Sequence, residues 1–340
     1  MKPSSPSSDR FAAARSHALR GCAFILGMAV VVGVQAQAPA GTYPNRPVRL
    51  VVPYAPGGNI DITGRIVAPA MSDALGVSFV VDNRAGASGA IGSELVARAA
   101  PDGYTLLVAS TGSTSGLAAL YPKLPYDPIK DFAPIGLAAT VPNMLVVHPS
   151  LPVKTVGDLV SLARSKPRQL NYGSGGIGAA SHLAMELFKL LTKTDMQHIP
   201  YKGAGPFLPD LIAGQISLTI TGVPSLLPSV QAGRLRAVAV ASAKRLALLP
   251  DLPTIAEAGV TGYEATQWNG VLAPAATRPE VRTRLQNAIA AAMQSEDSRA
   301  QLAKMGGVPM TSTPEEFSAF IKTEIGRWTK VVQAAHIKPE

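Results

Sequence analysis

Cysteine is all but missing from this 340-residue chain, with Cys22 the only one. A disulfide framework is thereby excluded, and so is a metal site built on thiolates. Charge is scarce as well: Asp, Glu, Lys and Arg together make up 16%, and aromatics only 5%. The net charge of +9 is scattered, and Lys244-Arg245 is the one adjacent basic pair. A nucleic-acid surface needs a basic stripe interleaved with stacking aromatics, and the chain has none. No two histidines stand at a metal-binding spacing such as H-x-x-x-H, so neither a metal nor a cofactor is expected.

Long apolar runs are also wanting. Cys22–Val34 is too short to span a bilayer as a mature helix, and it follows the basic residues Arg10, Arg15 and Arg20. Val34 and Ala36 put small residues at −3 and −1 of a cleavage point. Residues 1–36 therefore read as a secretory signal peptide, with the mature chain starting at Gln37. Cys22 precedes the apolar run, the wrong order for lipid attachment. Cleavage removes four basic residues and one acidic one, leaving +6. A mild positive field of that size suits a small anionic ligand.

Strands that end in hydrogen-bonding turns recur along the mature chain. Val48–Val52 is an apolar, β-branched run of the kind buried in a sheet. Pro53–Gly58 breaks it, and Asn59 or Asp61 can cap the helix beyond, where Ile62, Ile66, Val67 and Ala70 keep helical spacing. Two glycines before a helix start expose backbone N–H groups where the helix dipole adds positive charge, a place for a carboxylate or phosphate. The same arrangement returns where Phe79–Val81 runs to Gly86-Ala87-Ser88-Gly89 and Tyr104–Ala109 runs to Ser110–Gly116. Strands alternating with helices predict a parallel sheet that binds ligand at its C-terminal edge.

The proline-rich stretch Tyr121–Phe132 reads as a loop. Apolar runs on both sides of Val141-Pro142-Asn143 mark a crossing into a second α/β set, and Glu264–Trp268 marks the return. Within that set Asn171-Tyr172 leads to Gly173–Gly178, Gln197–Tyr201 to Lys202–Gly205, and Ser217–Ile220 to Thr221-Gly222. Capping boxes are expected at Thr155 with Asp158, Thr277 with Glu280, and Thr313 with Glu316. The last helix should bury Phe317, Phe320, Ile321, Trp328 and Val332.

Two enzyme-like signals need weighing. Gly173-x-Gly175-x-x-Gly178 matches the dinucleotide fingerprint, but Asp195 precedes the next strand instead of ending it. Gly112–Gly116 has Thr114 where a nucleophile elbow needs serine. A secreted hydrolase of small esters using Ser113 or Ser88 is the alternative function. His182, His148 and His198 are most simply structural. Asp61 either caps its helix or points into a cleft.

The stretches YPNRPVRLVVPYAPGGNIDITGR, VDNRAGASGAIGSELVARAAPDGYTLLVAS, LYPKLPYDPIKDFAPI, LNYGSGGIGAASHLAMELFK, HIPYKGAGPFLPDLIAGQISL, LPSVQAGRLRAVAVASAKR, LPTIAEAGVTGYEA and WNGVLAP follow one another from Tyr43 almost to the end. In that order the chain resembles the substrate-binding proteins of tripartite tricarboxylate transporters, the Bordetella uptake gene (Bug) family. The resemblance implies an α/β, two-lobed periplasmic binding protein (Venus-flytrap) fold, type II-like, with two crossings, which closes on a small carboxylate. It places ligand-binding residues at Tyr54, Gly57, Gly58 and Asp61, at Gly86, Ala87 and Ser88, and at Thr111, Gly112 and Ser113. In the second lobe it places them at Ser174, Gly178, Ser181, Lys202, Gly203 and Thr221.

The chain departs from the family at the last of these. Members commonly carry Asp-Asn where Thr221-Gly222 stand, so no acid is left to pair with a ligand ammonium group. The expected ligand is a plain mono- or dicarboxylate, aliphatic or aromatic. Lobe 1 is expected over residues 43–141 plus 268–340, and lobe 2 over 142–267. The expected product is a monomeric, periplasmic transport protein without enzymatic activity, whose partner is a membrane permease of the tripartite tricarboxylate type.

Overall fold

A computed structural model describes residues 43–339; the expected signal peptide, with Cys22 and the cleavage point after Ala36, lies outside the described residues. The chain opens with strands β1 (Val48–Val52), β2 (Phe79–Asn83) and β3 (Thr105–Ser110), each followed by a polar turn and a helix. They pair in parallel with β1 in the middle, which is why Val48, Leu50, Val51 and Val52 are all buried. Strand β4 (Phe132–Val141) runs out of this sheet and is separated from β5 (Asn143–Val147) by Pro142 alone. Proline has no N–H to give a ladder, so the strand breaks there and its continuation joins a second sheet.

That sheet contains β5, β6 (Asn171–Ser174), β7 (Gln197–Pro200), β8 (Leu218–Gly222) and β9 (Arg236–Val240). Strand β10 (Gln267–Pro274) then returns to the first sheet, and β11 (Val308–Pro309) closes its edge. The strand orders are β11-β4-β10-β3-β1-β2 and β7-β6-β8-β5-β9. The chain changes sheet between β4 and β5 and again between β9 and β10.

Neither sheet is wholly parallel, which corrects the expectation from strand–helix alternation. Strand β10 is antiparallel to both β3 and β4, and β5 is antiparallel to both β8 and β9. The cause is geometric. Strands followed by their own helices carry their C-terminal ends toward the junction between the sheets. A strand arriving from that junction must run the other way.

Each sheet has apolar packing on both faces, Leu50, Val52 and Val108 against the helix Asn59–Leu75 in the first and Leu145, Leu183 and Phe188 in the second. The final helix, Pro314–Ala334, belongs to both. Phe317 and Ile321 pack with Trp268 against the first sheet, whereas Trp328 and Val332 pack in the second core. The indole of Trp268 meets the ring of Phe317 edge-on at 5.5 Å. No helix among the described residues is long and apolar enough to cross a membrane.

Two of the three expected capping boxes form, at Thr155 with Asp158 and at Thr313 with Glu316. The third does not. Its helix starts at Pro279 with Arg278 as N-cap, one residue beyond Thr277, because proline's fixed φ suits the first helical position.

Candidate functional site

The turns after β1, β3, β6, β7 and β8 converge at the junction of the two sheets. They enclose a small cavity of about 30 Å³ whose walls include Tyr54, Gly58, Ser110, Gly112, Ser181 and Thr221. Asn59, Ile60, Gln267, Gly175, Gly203, Ala204 and the segment Ala179–Ser181 complete the wall, so no charged side chain lines it. Three helices begin there: Asn59–Leu75 after Gly58, Ala180–Thr192 after Ala179, and Ala204–Ile212 after Gly203. None of the three has a side-chain N-cap. The first N–H groups of an uncapped helix are unspent donors, and three positive dipole ends around one small space favour an anion.

The turn that carries Gly57 and Gly58 is held by Asp61. Its carboxylate accepts from the Gly57 N–H at 3.0 Å, from Arg65 Nε at 3.0 Å and from Asn83 Nδ2 at 2.9 Å. Burial by itself would raise this carboxyl's pKa, but the Arg65, Gly57 and Asn83 bonds outweigh it and hold the pKa below its usual value. Asp61 neither caps the helix, whose N-cap is Gly58, nor lines the cavity; it is spent on bracing the turn. Tyr54 Oη donates to the carbonyl of Ser88 at 2.7 Å, and burial, followed by the nearness of Tyr126, pushes that hydroxyl's pKa up. Tyr54 therefore stays a neutral donor, and it holds Ser88 in a left-handed conformation at φ 53°.

On the other side, Ser181 Oγ accepts from the Gly175 N–H at 2.9 Å, and His182 Nδ1 accepts from the Gly178 N–H at 3.1 Å. Ser174 Oγ lies 2.5 Å from His198 Nε2. The two halves meet closely: the Ala55 N–H donates to the Lys202 carbonyl at 3.2 Å. A side chain on Gly205 would overlap the Pro56 carbonyl, and one on Gly116 would overlap the Gly178 carbonyl. Glycine is thus required at both places by the approach of the opposite sheet's loops.

The expected site residues divide into three groups. Tyr54, Gly58, Gly112, Ser181, Gly203 and Thr221 line the inner cavity. Ala87, Ser88 and Lys202 line a larger cavity outside it, of about 620 Å³. Gly57, Asp61, Gly86, Thr111, Ser113, Ser174 and Gly178 line neither and stand behind the walls. Thr111 Oγ1 accepts from the Trp268 N–H at 3.1 Å, which ties the β3 turn to the returning strand.

Sequence reasoning missed a buried amide chain at the two crossings. Asn59 Nδ2 donates to Gln267 Oε1 at 2.9 Å, Gln267 Nε2 donates to Asn143 Oδ1, and Asn143 Nδ2 donates to the Ala265 carbonyl at 2.6 Å. Asn143 and Gln267 stand at the crossings, the one hint available in the sequence.

The enzyme-like signals find other uses. Ser113 Oγ lies 3.0 Å from Ser110 Oγ and closes a capping box with it. The hydroxyl of Ser88 faces Gly176. Among the described residues two serines have a histidine partner: Ser150 with His148, on an exposed turn, and Ser174 with His198. Ser174 is fully buried, and its Oγ also accepts from the Gly176 N–H at 3.1 Å. The glycine-rich loop Gly175–Gly178 packs against Ser88 and Gly116, and Asp195 uses its carbonyl to accept from the Arg168 N–H. The described residues contain no cluster of metal-ligating side chains.

A family model described as the tripartite tricarboxylate transporter family receptor matches residues 63–337. Protein BugT of Bordetella pertussis is 36% identical over 307 residues, covering 90% of this chain and 94% of that protein. Among solved structures, R. palustris Rpa4515 with adipate is 42% identical with a TM-score of 0.85 and covers 88% of this chain and 100% of that one. MatC from Rhodopseudomonas palustris with bound malate is 33% identical with a TM-score of 0.82, covering 85% and 100%. The periplasmic binding protein BugD is 33% identical with a TM-score of 0.85, covering 88% and 100%. With its two-sheet architecture, its two crossings and these relatives along nearly its whole described length, the chain belongs to the tripartite tricarboxylate transporter receptor family, the Bug solute-binding proteins.

Proposed function

We propose that this protein is a periplasmic solute-binding protein that captures a small organic carboxylate between two lobes and hands it to a membrane permease of the tripartite tricarboxylate type. Lobe 1 comprises residues 43–141 and 268–340, and lobe 2 comprises 142–267. The observation that carries the reading is the meeting of three uncapped helix N-termini at a cavity with no charged lining. Backbone amides and the Ser110, Ser181 and Thr221 hydroxyls supply the donors, so neither lysine nor arginine is needed to hold the carboxylate.

Adipate in Rpa4515 and malate in MatC support a carboxylate, though neither names the ligand here. Thr221 offers no counter-ion for an ammonium group, which argues against an α-amino acid and for a plain mono- or dicarboxylate, aliphatic or aromatic. The protein acts as a monomer after removal of residues 1–36, and it turns nothing over. A thermal-shift screen of the mature protein against organic acids tests the reading. Ligand at 100-fold its dissociation constant should add about 2.7 kcal/mol of stability. Stabilisation by amines or neutral sugars instead of acids would overturn it, and so would ester hydrolysis lost on Ser113→Ala.

A further inference from the structure

We infer that the outer cavity is a tail subsite, taking an apolar chain or ring that ends in a second anion, with Lys123 as the group that meets that anion. The inference rests on the proposal that the inner cavity anchors a carboxylate head group. The inner cavity, at about 30 Å³, has room for one or two water-sized groups, about what a carboxylate head group needs. The outer cavity, at about 620 Å³, lies within the range of small-molecule sites.

The two spaces adjoin. Tyr54 lines the inner one and donates to the carbonyl of Ser88, which lines the outer one. Opposite them, Gly175 lines the inner space and Gly176 the outer. A side chain on Gly176 would overlap the Ser88 hydroxyl, so glycine there keeps the boundary one residue thick.

The lining gives the chemistry. Ile91, Leu117, Leu124 and Ile177 provide apolar wall from both halves of the molecule, and Ile91 is 53% exposed. A tail lying across them would remove that surface from water. Three charged side chains reach the cavity. Glu94 is paired with Arg98 at 2.7 Å, whereas among the described residues Lys123 and Lys202 make no ion pair. Lys123 belongs to the proline-rich stretch that reads from the sequence only as a loop. Pro122 and Pro125 restrict the backbone on either side of it, so the ammonium group is presented from a stiff support. An apolar path with unpaired positive charge beside it and no unpaired acid describes the recognition of a long α,ω-dicarboxylate or a carboxylated ring.

Calorimetry on the mature protein with α,ω-dicarboxylates of four, six, eight and ten carbons, each beside the monocarboxylate of equal length, tests the inference. Affinity should rise with chain length, and the longer dicarboxylates should bind at least tenfold more tightly than their monocarboxylate partners. Lys123→Gln should erase that preference while leaving the monocarboxylates within twofold, and Lys123→Arg should restore it. Ile91→Asp should weaken the long acids at least tenfold and spare succinate. These side chains are exposed, so unchanged melting of the unliganded variants serves as the folding control. Equal affinity for short and long acids would overturn the tail subsite and leave the carboxylate reading standing. A preference kept in Lys123→Gln but lost in Lys202→Gln would overturn the role of Lys123. Failure of every acid to bind would overturn the head-group reading and the tail subsite together.

Discussion

The imidazole rings of His182 and His198 stack 4.1 Å apart and 11° from parallel, and both end on the same loop. His182 accepts from the Gly178 N–H, and His198 meets the Ser174 hydroxyl, so the stack holds the segment whose Gly178 carbonyl touches Gly116 of the opposite half. Tyr172 lies near-parallel to both rings, 4.9 Å from His198 and 6.4 Å from His182, and Lys189 and Glu186 close the cluster with an ion pair at 2.7 Å.

Acid should therefore loosen this loop before it affects most carboxylates. Burial pushes both imidazoles down to about 3, helped by Lys189 at His182 and by His182 at His198. An unfolded histidine titrates near 6.5, so below that pH the unfolded chain takes up protons that the folded chain refuses. Stability is full above about pH 6.5 and declines as pH falls toward 3. Urea denaturation at pH 7.5 and pH 5 should show the decline, and His198→Gln should reduce it. Equal stability at the two pH values would sink the assignment.

The glycine seam sets how closely the halves approach. Gly116 has an ordinary helical φ of −68°, so alanine costs nothing in backbone strain there, but its methyl group would overlap the Gly178 carbonyl. Gly116→Ala should fold normally, hold the halves apart and bind its acid about tenfold or more weakly. Small-angle scattering should show the ligand-induced compaction reduced. Wild-type affinity in this variant would mean that closure does not use this contact.

Thr221 lines the inner cavity and is buried against β5. Thr221→Asp places a carboxylate among groups that favour an anion, where the ligand's own carboxylate would meet it. Binding of plain acids should fall by more than about tenfold, and α-amino acids should gain relative to them. Calorimetry with one acid and its α-amino counterpart reads the switch; an unchanged ratio would show that Thr221 does not face the ligand.

Local signals translated well from sequence to structure. The boxes at Thr155 and Thr313 close over three residues, so nothing distant is needed to form them. Thr277 misled because the proline two residues on had a stronger claim to the helix start than a threonine hydroxyl has to its cap. Asp61 illustrates the limit from the other side. Its place in the first helical turn is local, but its bond to Asn83 comes from the neighbouring strand, and that bond helps turn a candidate ligand acceptor into a brace. The amide chain Asn59–Gln267–Asn143 was beyond reach, since its links join residues 208 and 124 positions apart.

The sequence by itself determined the strands, the glycine-rich turns that end them, the break at Pro142 and the lack of thiols or metal-spaced histidines. Each depends on residues a few positions apart, where propensity, turn chemistry and composition act directly. The tertiary structure alone decided that β5 and β10 run against their neighbours, that three uncapped helices start at one cavity, and that this cavity is small while a larger one opens beyond Ser88. Those facts arise from contacts between the two sheets, and no local rule governs the distance at which Gly205 meets Pro56 or Gly176 meets Ser88.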